Sequence, residues 1–349
     1  MSLAPRPVPL LTTDLPGTGG LTRVSEDDFF VEELPLYEPQ GIGEHLYLTV
    51  EKRGRTTQEI VREIATALSA RERDVGTAGL KDKRAVTVQR LSVLTRASVD
   101  DALKLQGQGF KVLAAARHNN KLRPGHLRGN RFRIVVRGIV PDGVSRAQAV
   151  FERLASMGAA NLFGPQRFGK REDNAALGRA ILLRETQVRD RFLRRMALSA
   201  LQSELFNRCL AARIADGLFN AAIDGDVLRK RDSGGMFVGA AADTARVESQ
   251  EVDPAGPLPG HSIFAAQADA LAREQAVLHE AEVDPAWFKA GGDEMQGARR
   301  PYRIPVPGAS VEALADSSLA LRFDLPKGSY ALSVLREVVK TGQPVDDDD

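Results

Sequence analysis

From Leu21 onward, apolar and polar positions follow two distinct periods. Leu46, Leu48 and Val50 alternate with Tyr47, Thr49 and Glu51, which predicts a half-buried strand. Thr56-Thr57-Gln58-Glu59 then carries the Thr-x-x-Glu spacing of a capping box. It opens a predicted helix on which Ile60, Ile64 and Leu68 share a face, with Val61 and Ala65 beside them. Val86–Leu94 and Arg131–Arg137 read as further strands. In the second, Phe132, Ile134 and Val136 take one face, and Arg131, Arg133 and Arg137 the other. Ala147 to Gly217 is helical in pattern, broken by a loop at Asn161–Gly169. Residues 223–263 are rich in Gly, Asp and Pro with little periodicity, and 264–282 returns to helix. Leu319–Leu325 alternates as a strand and Tyr330–Lys340 repeats as a helix. Strand-rich ends around a helical middle predict an α+β sheet domain interrupted by an inserted helical domain. Residues 1–20 read as an irregular lead-in, and no internal repeat is evident.

Composition narrows the class. With 349 residues, 43% apolar and 27% charged, the chain can bury a full core and is long enough for two domains. A single cysteine, Cys209, excludes an intramolecular disulfide framework and a Cys-rich zinc site, and its place on a helical face marks it as a packing residue. No apolar run nears the ~20 residues of a membrane span, and Met1–Pro9 has no signal-peptide core, so a cytoplasmic protein is expected. The net charge of +2 becomes +6 without the acidic Asp346–Asp349, read as a frayed tail. From Ala102 to Pro141 there are nine Lys and Arg and no Asp or Glu, a pattern that suits a polyanion-binding surface.

Several chemistries lack their motifs. The chain has no Gly-x-x-x-x-Gly-Lys-Ser/Thr loop, no His-Glu-x-x-His and no Gly-x-Ser-x-Gly. His45, His118, His126, His261 and His279 are scattered without ligand spacing, so neither metal nor nucleotide cofactor is expected. The segment Gly79-Leu80-Lys81-Asp82-Lys83-Arg84-Ala85-Val86-Thr87-Val88-Gln89 sets one carboxylate among three cations. Nearby positive charge keeps a carboxylate ionised, which suits a nucleophile or base; a turn acid in weak surface ion pairs would look the same by charge alone.

Gly79–Gln89 resembles the Gly-x-Lys-Asp-x-x-Ala-x-Thr-x-Gln motif of the TruD family of tRNA pseudouridine synthases. Five further blocks follow in family order. Ser25–Glu33 resembles the Pro-Glu-Asp-Phe-x-Val-x-Glu segment, with Glu26 where proline is usual. Ala116-Arg117-His118 through Gly129-Asn130-Arg131-Phe132 resembles the Arg-His-x-x-Lys-Leu to Gly-Asn-x-Phe block. Asn161–Gly169 is close to the Asn-Tyr-Phe-Gly-x-Gln-Arg-Phe-Gly signature. Ser199–Asn207 and Leu325–Ala331 complete the set, which covers about residues 21 to 340.

The resemblance implies a pseudouridine synthase core with a mixed or antiparallel sheet over residues 1–157 and 305–349, interrupted by a mainly helical TRUD domain over 158–304. It implies isomerisation of a tRNA uridine, expected at position 13, with no cofactor and no metal. The family's catalytic aspartate maps onto Asp82, acting at C1′ as nucleophile or at C2′ as base. Phe29, Phe132 and Tyr330 match positions that contact the uridine, and Asn130 one that hydrogen-bonds it; Tyr330 stands where phenylalanine is familiar. Phe132 also reads as a core residue from its strand face. Arg23 falls where the family tends to have lysine and is the expected cationic partner of Asp82, with Lys81 beside it at the substrate. Arg117, Lys121, Arg123 and Arg128 are expected on the RNA backbone, lining a cleft between core and insertion. Asn161–Gly169 is expected as a junction, with Gln166 and Arg167 bracing the Asp82 loop. The expected partner is tRNA, bound by a monomer without membrane association. The rivals are an inactive RNA-binding protein, which would have lost its acid, and a carboxylate nuclease, which would want clustered acids and Mg²⁺.

Overall fold

In the computed structural model residues 3–340 are described, so Asp346–Asp349 lie outside them. In chain order the first elements are β1 (Leu21–Thr22), β2 (Phe29–Pro35), β3 (His45–Arg53), α1 (Thr57–Ala67), β4 (Val75–Thr77), β5 (Val86–Leu94), α2 (Val99–Leu103), β6 (Gln106–Gly107), β7 (Phe110–His118), β8 (Leu127–Arg137) and α3 (Gly143–Met157). The middle holds β9 (Ala159–Ala160), α4 (Asn174–Leu182), α5 (Arg191–Ala215), β10 (Val227–Lys230), β11 (Met236–Val238), α6 (Thr244–Glu248), β12 (Val252–Leu258), α7 (Ala268–Glu280), β13 (Ala298–Pro301) and β14 (Arg303–Ile304). β15 (Ser310–Leu314), β16 (Ser318–Pro326) and α8 (Leu332–Val339) complete the chain.

These elements form two compact units. One holds Leu15–Ala155, Val306–Ala331 and, of the remaining described residues, 338–340. Its sheet runs in the order β15-β16-β8-β2-β5-β3-β7-β6, with β1 also on β8 and β4 also on β5. β2 and β5 are parallel, and the other neighbours pair antiparallel, so the sheet is mixed. α1 forms where the capping box places it: the Thr56 side chain accepts from the Glu59 N–H, and the Glu59 carboxylate accepts from the Thr56 N–H at 2.7 Å. Its Ile60, Val61 and Ile64 bury against Leu46, Leu48, Val50, Leu91 and Val93 of the sheet. Farther along the sheet, Phe29, Phe132 and Phe323 form a ring cluster, and Phe151 of α3 meets Phe323 edge-on.

The other unit holds Ser156–Pro305, Leu332–Glu337 and the described part of 1–14. Its core is the 25-residue α5, whose Ala197, Leu198, Leu201, Leu205 and Phe206 are fully buried. Cys209 lies on the same helix as a packing residue, and burial pushes its thiol up to about 12. One sequence expectation needs correction. Residues 223–263, of little periodicity within an insertion expected to be mainly helical, supply β10, β11 and β12 to a sheet ordered β11-β10-β12-β13. The strands are short, and β12 reads Val-Asp-Pro-Ala-Gly-Pro-Leu, so no alternation survives in the sequence. Residues 252–254 pair with β10, and 255–258 pair with β13. Each proline therefore has a flank without ladder pairing, where a missing N–H is tolerated.

Candidate active site

The site is built on one face of the large sheet. Residues directly paired across strands point to the same side, so the register assigns that face. One row runs Phe323, Phe132, Val31, Thr87, Lys52, and the next holds Leu325, Asn130 and Glu33. Leu46, Leu48, Leu91 and Val93 continue this face as apolar core under α1. The face thus changes from apolar to polar where Lys52, Thr87, Gln89, Glu33 and Asn130 replace aliphatic residues.

The segment 78–85, between β4 and β5, is mounted over this polar ground. Lys81 anchors it twice. Its N–H donates to Thr57 Oγ1 at 3.1 Å, and its Nζ donates to Glu33 Oε2 at 2.9 Å in a buried ion pair. Thr57 Oγ1 in turn donates to Gln89 Oε1 at 3.1 Å. The Lys52 ammonium, 1% exposed, donates to the main-chain carbonyl of Asp82 at 2.6 Å. Lys81, expected at the substrate, therefore spends its charge on Glu33 beneath the loop.

Asp82 presents its carboxylate to Arg23: Nη2 donates to Oδ2 at 3.1 Å. The Arg23 side chain is 10% exposed and that of Asp82 is 39% exposed, so the acid can be reached from solvent while its cation is held. What holds the cation is Phe29. The Arg23 guanidinium lies 3.9 Å from the Phe29 ring centroid, a cation–π contact. Phe29 is 1% exposed, and its ring meets Phe132 edge-on at 6.2 Å. Asp28, the residue before Phe29, fixes this corner: its carboxylate accepts from Arg137 Nη2 at 2.6 Å and from the Ser25 N–H at 2.9 Å. Burial pushes the Asp28 carboxyl up, but Arg137 and Ser25 pull it further down, to below the usual carboxylate range.

The remaining expected residues fall in different surroundings. Phe132 is 6% exposed, stacked on Phe323 in the core. Asn130 Oδ1, Thr87 Oγ1 and Gln89 Nε2 are buried without a hydrogen-bond partner, each at a cost of about 1–3 kcal/mol if left so. Tyr330 is 38% exposed, on the turn after β16. That turn is tied to the basic segment, since Lys327 Nζ donates to the Gly125 carbonyl at 3.1 Å.

The four expected backbone cations divide into two kinds. Arg117 donates to the carbonyls of Glu44, Thr95 and Ala97, and Lys121 to that of Arg73 at 2.6 Å. Arg123 and Arg128 are exposed, with no ion-pair partner among the described residues. Their segment is joined to the base of the Asp82 loop, because the Gly125 N–H donates to the Ala78 carbonyl at 2.8 Å. In the other unit, Arg167 bonds to Ser203 and Ser199 of α5, and the Phe163 N–H donates to Asn207 Oδ1 at 2.9 Å. Asn161–Gly169 is thus seated on α5 by side chains of the Ser199–Asn207 block.

Sequence reasoning missed Lys52, Glu33 and Thr57. Lys52 and Glu33 had a readable signal, since each continues the core-facing phase of its strand with a charge. Among the described residues, no group of three or more His, Cys, Asp or Glu is placed to hold a metal ion, and no helix is long and apolar enough to cross a membrane.

Comparison with known proteins identifies the family. The family model for tRNA pseudouridine synthase D (TruD) matches residues 8–190 and 185–338. The tRNA pseudouridine synthase D of Anaeromyxobacter sp. (strain Fw109-5) is 51% identical over 342 residues, covering 96% of this chain and 96% of that protein. A protein of the same name from Thermus thermophilus is 44% identical over 339 residues, covering 96% and 93%. A crystal structure assigned to tRNA pseudouridine synthase D, from Methanosarcina mazei, superposes with a TM-score of 0.79 at 25% identity over 97% of each chain.

Proposed function

The chain belongs to the TruD family of tRNA pseudouridine synthases, and we propose from this premise that Asp82 is its catalytic carboxylate and that the uridine at position 13 of tRNA is its target. The family activity is an isomerisation of uridine to pseudouridine. The N1–C1′ bond breaks, a C5–C1′ bond forms, the C5 proton leaves and N1 gains one, so no redox step or external group is consumed. The observation that carries the assignment is the Asp82–Arg23 pair at 3.1 Å, a reachable carboxylate held by a nearly buried cation. Asp82 would act on the ribose, at C1′ as nucleophile or at C2′ as base.

The surroundings support a role for each neighbour. A base must leave the helical stack to reach Asp82, at a cost of a few kcal/mol. Asn130 Oδ1 lacks a partner on the same face, and a uracil N3–H would supply one. Phe29 serves here as the floor under Arg23, and the partly exposed Tyr330 would be the ring that stacks on a base. Arg123 and Arg128 are the exposed cations for phosphates on this side of the loop. Residues 158–304 would form the inserted domain, with the described part of 1–14 and Leu332–Glu337 packed in its unit and not in the sheet unit, the enzyme acting as a cytoplasmic monomer without cofactor.

The test is Asp82→Asn, which keeps shape and removes charge. Turnover should vanish while tRNA affinity changes little; retention of more than about a thousandth of the rate rejects the assignment. Mapping pseudouridine in tRNA from cells with and without the protein decides position 13, which fails if that site is modified equally in both.

A further inference from the structure

Lysine is rarely buried, and Lys52 is 1% exposed in the middle of the sheet. Its position follows from the strand: Leu46, Leu48, Val50 and Lys52 are successive core-facing residues of β3, and the first three are 0% exposed. Its ammonium donates to three main-chain carbonyls, of Arg55 at 2.7 Å, Lys81 at 3.3 Å and Asp82 at 2.6 Å. An ammonium carries three donors and no acceptor, so carbonyl oxygens suit it. Burying such a charge costs several kcal/mol, and an apolar side chain of similar length serves a core at least as well. Stability alone therefore does not account for a lysine here.

The identity of the three carbonyls points elsewhere. Two belong to consecutive residues, Lys81 and Asp82, so one ammonium fixes the two peptide units on either side of the Asp82 Cα. The third, Arg55, directly precedes the Thr56 cap of α1, whose first residue, Thr57, accepts the Lys81 N–H. Lys52 thus holds the main chain of Asp82 from below, while Arg23 meets its carboxylate.

We propose that Lys52 is a positioning residue for the isomerisation: its buried ammonium sets the two peptide units that flank Asp82 and thereby where the carboxylate stands against the ribose. This rests on the reading of Asp82 as the catalytic carboxylate. Lys52 touches no reacting atom; it acts through the loop. A displacement of about 1 Å at a reacting group costs about 100-fold in rate, which sets the expected effect.

The experiment compares Lys52→Met, Lys52→Gln and Asp82→Asn in the full chain. For each it measures the single-turnover rate at saturating tRNA, the tRNA Kd, and amide exchange of peptides covering 79–85 and α5. Lys52→Met should lower the rate about 100-fold with Kd within about threefold. Amides of 79–85 should exchange at least about tenfold faster while those of α5 do not change. Lys52→Gln, which can still donate two hydrogen bonds, should fall between Lys52→Met and the parent. The proposal is overturned if Lys52→Met keeps its rate within about threefold, if its rate falls with unchanged exchange in 79–85, or if neither variant folds, which would make Lys52 a purely structural residue. Asp82→Asn separates the two readings: an active Asp82→Asn rejects Asp82, whereas an inactive one beside a fully active Lys52→Met rejects Lys52 alone.

Discussion

Arg23 holds a left-handed backbone conformation, with φ 59°, directly after the two-residue strand β1. For a residue with a Cβ this costs roughly 1–2 kcal/mol. Here the strain accompanies a guanidinium that spans the Phe29 ring and the Asp82 carboxylate. Replacing Arg23 by methionine removes the charge and keeps much of the apolar contact. A charge-assisted hydrogen bond is worth about 1.5–3 kcal/mol, so kcat/KM should fall about 10- to 100-fold. Arg23→Lys, the residue usual in the family, should stay within about tenfold of the parent. Steady-state kinetics on tRNA decides, and a methionine variant at parental turnover would make the pair incidental to catalysis. At this scale much of the candidate site was legible, because Asp82 and Phe29 lie in motifs, Arg23 falls just ahead of one, and the three meet in space. Lys52 and Glu33 escaped because a strand's core phase was followed only while it stayed apolar. A charge that keeps that phase is the more informative residue.

Elements show where local rules suffice and where they do not. The capping box before α1, the strand Val86–Leu94 and the break at 161–169 are local features, and the sequence displays them because each depends on neighbours within a few residues. β12 is the opposite case, a strand with two prolines that exists because partners far along the chain pair with it. The turn 26–28 that leads into β2 depends on a distant residue too, through Asp28 and Arg137 of β8. Since the folded Asp28 carboxyl titrates below its unfolded value of about 3.9, its contribution is fully present above that pH and is lost as pH falls through the folded value. Asp28→Asn should therefore cost about 1–3 kcal/mol near neutral pH, and the difference from the parent should shrink as pH drops below about 4. Urea unfolding across pH tests this; a difference independent of pH would show that the carboxylate's charge contributes nothing.

Across the whole molecule, charge read along the chain and charge seen in space part company. The stretch 102–141 carries no acid of its own, yet three of its cations find one on neighbouring strands or on the turn that leads into β2. Lys111 pairs with Glu51, Arg131 with Glu32 and Asp324, and Arg137 with Asp28. Arg117 and Lys121 are committed to carbonyls. A sheet brings distant segments side by side, so a segment's own composition does not set the field above it. The polyanion surface inferred from the whole stretch narrows to its members without an acid partner among the described residues, with Arg123 and Arg128 nearest in sequence to the Gly125 contact with the Asp82 loop. If these two meet phosphates, each releases counterions, and affinity falls by about 0.7–0.9 log units per contact per decade of salt. Replacing both by glutamine should flatten the slope of log K against log salt by about 1.4–1.8, and weaken unrelated RNAs as much as tRNA, since phosphate contacts position without specifying. Arg117→Gln should leave that slope nearly unchanged and instead lower the melting temperature, because its carbonyls lose their donor. Tyr330→Ala should leave both alone and lower the chemical step, since a ring stacks on the extruded base and not on the backbone. An unchanged slope in the double variant would move the RNA path elsewhere, with Arg189–Arg195 at the start of α5 the next basic segment to neutralise.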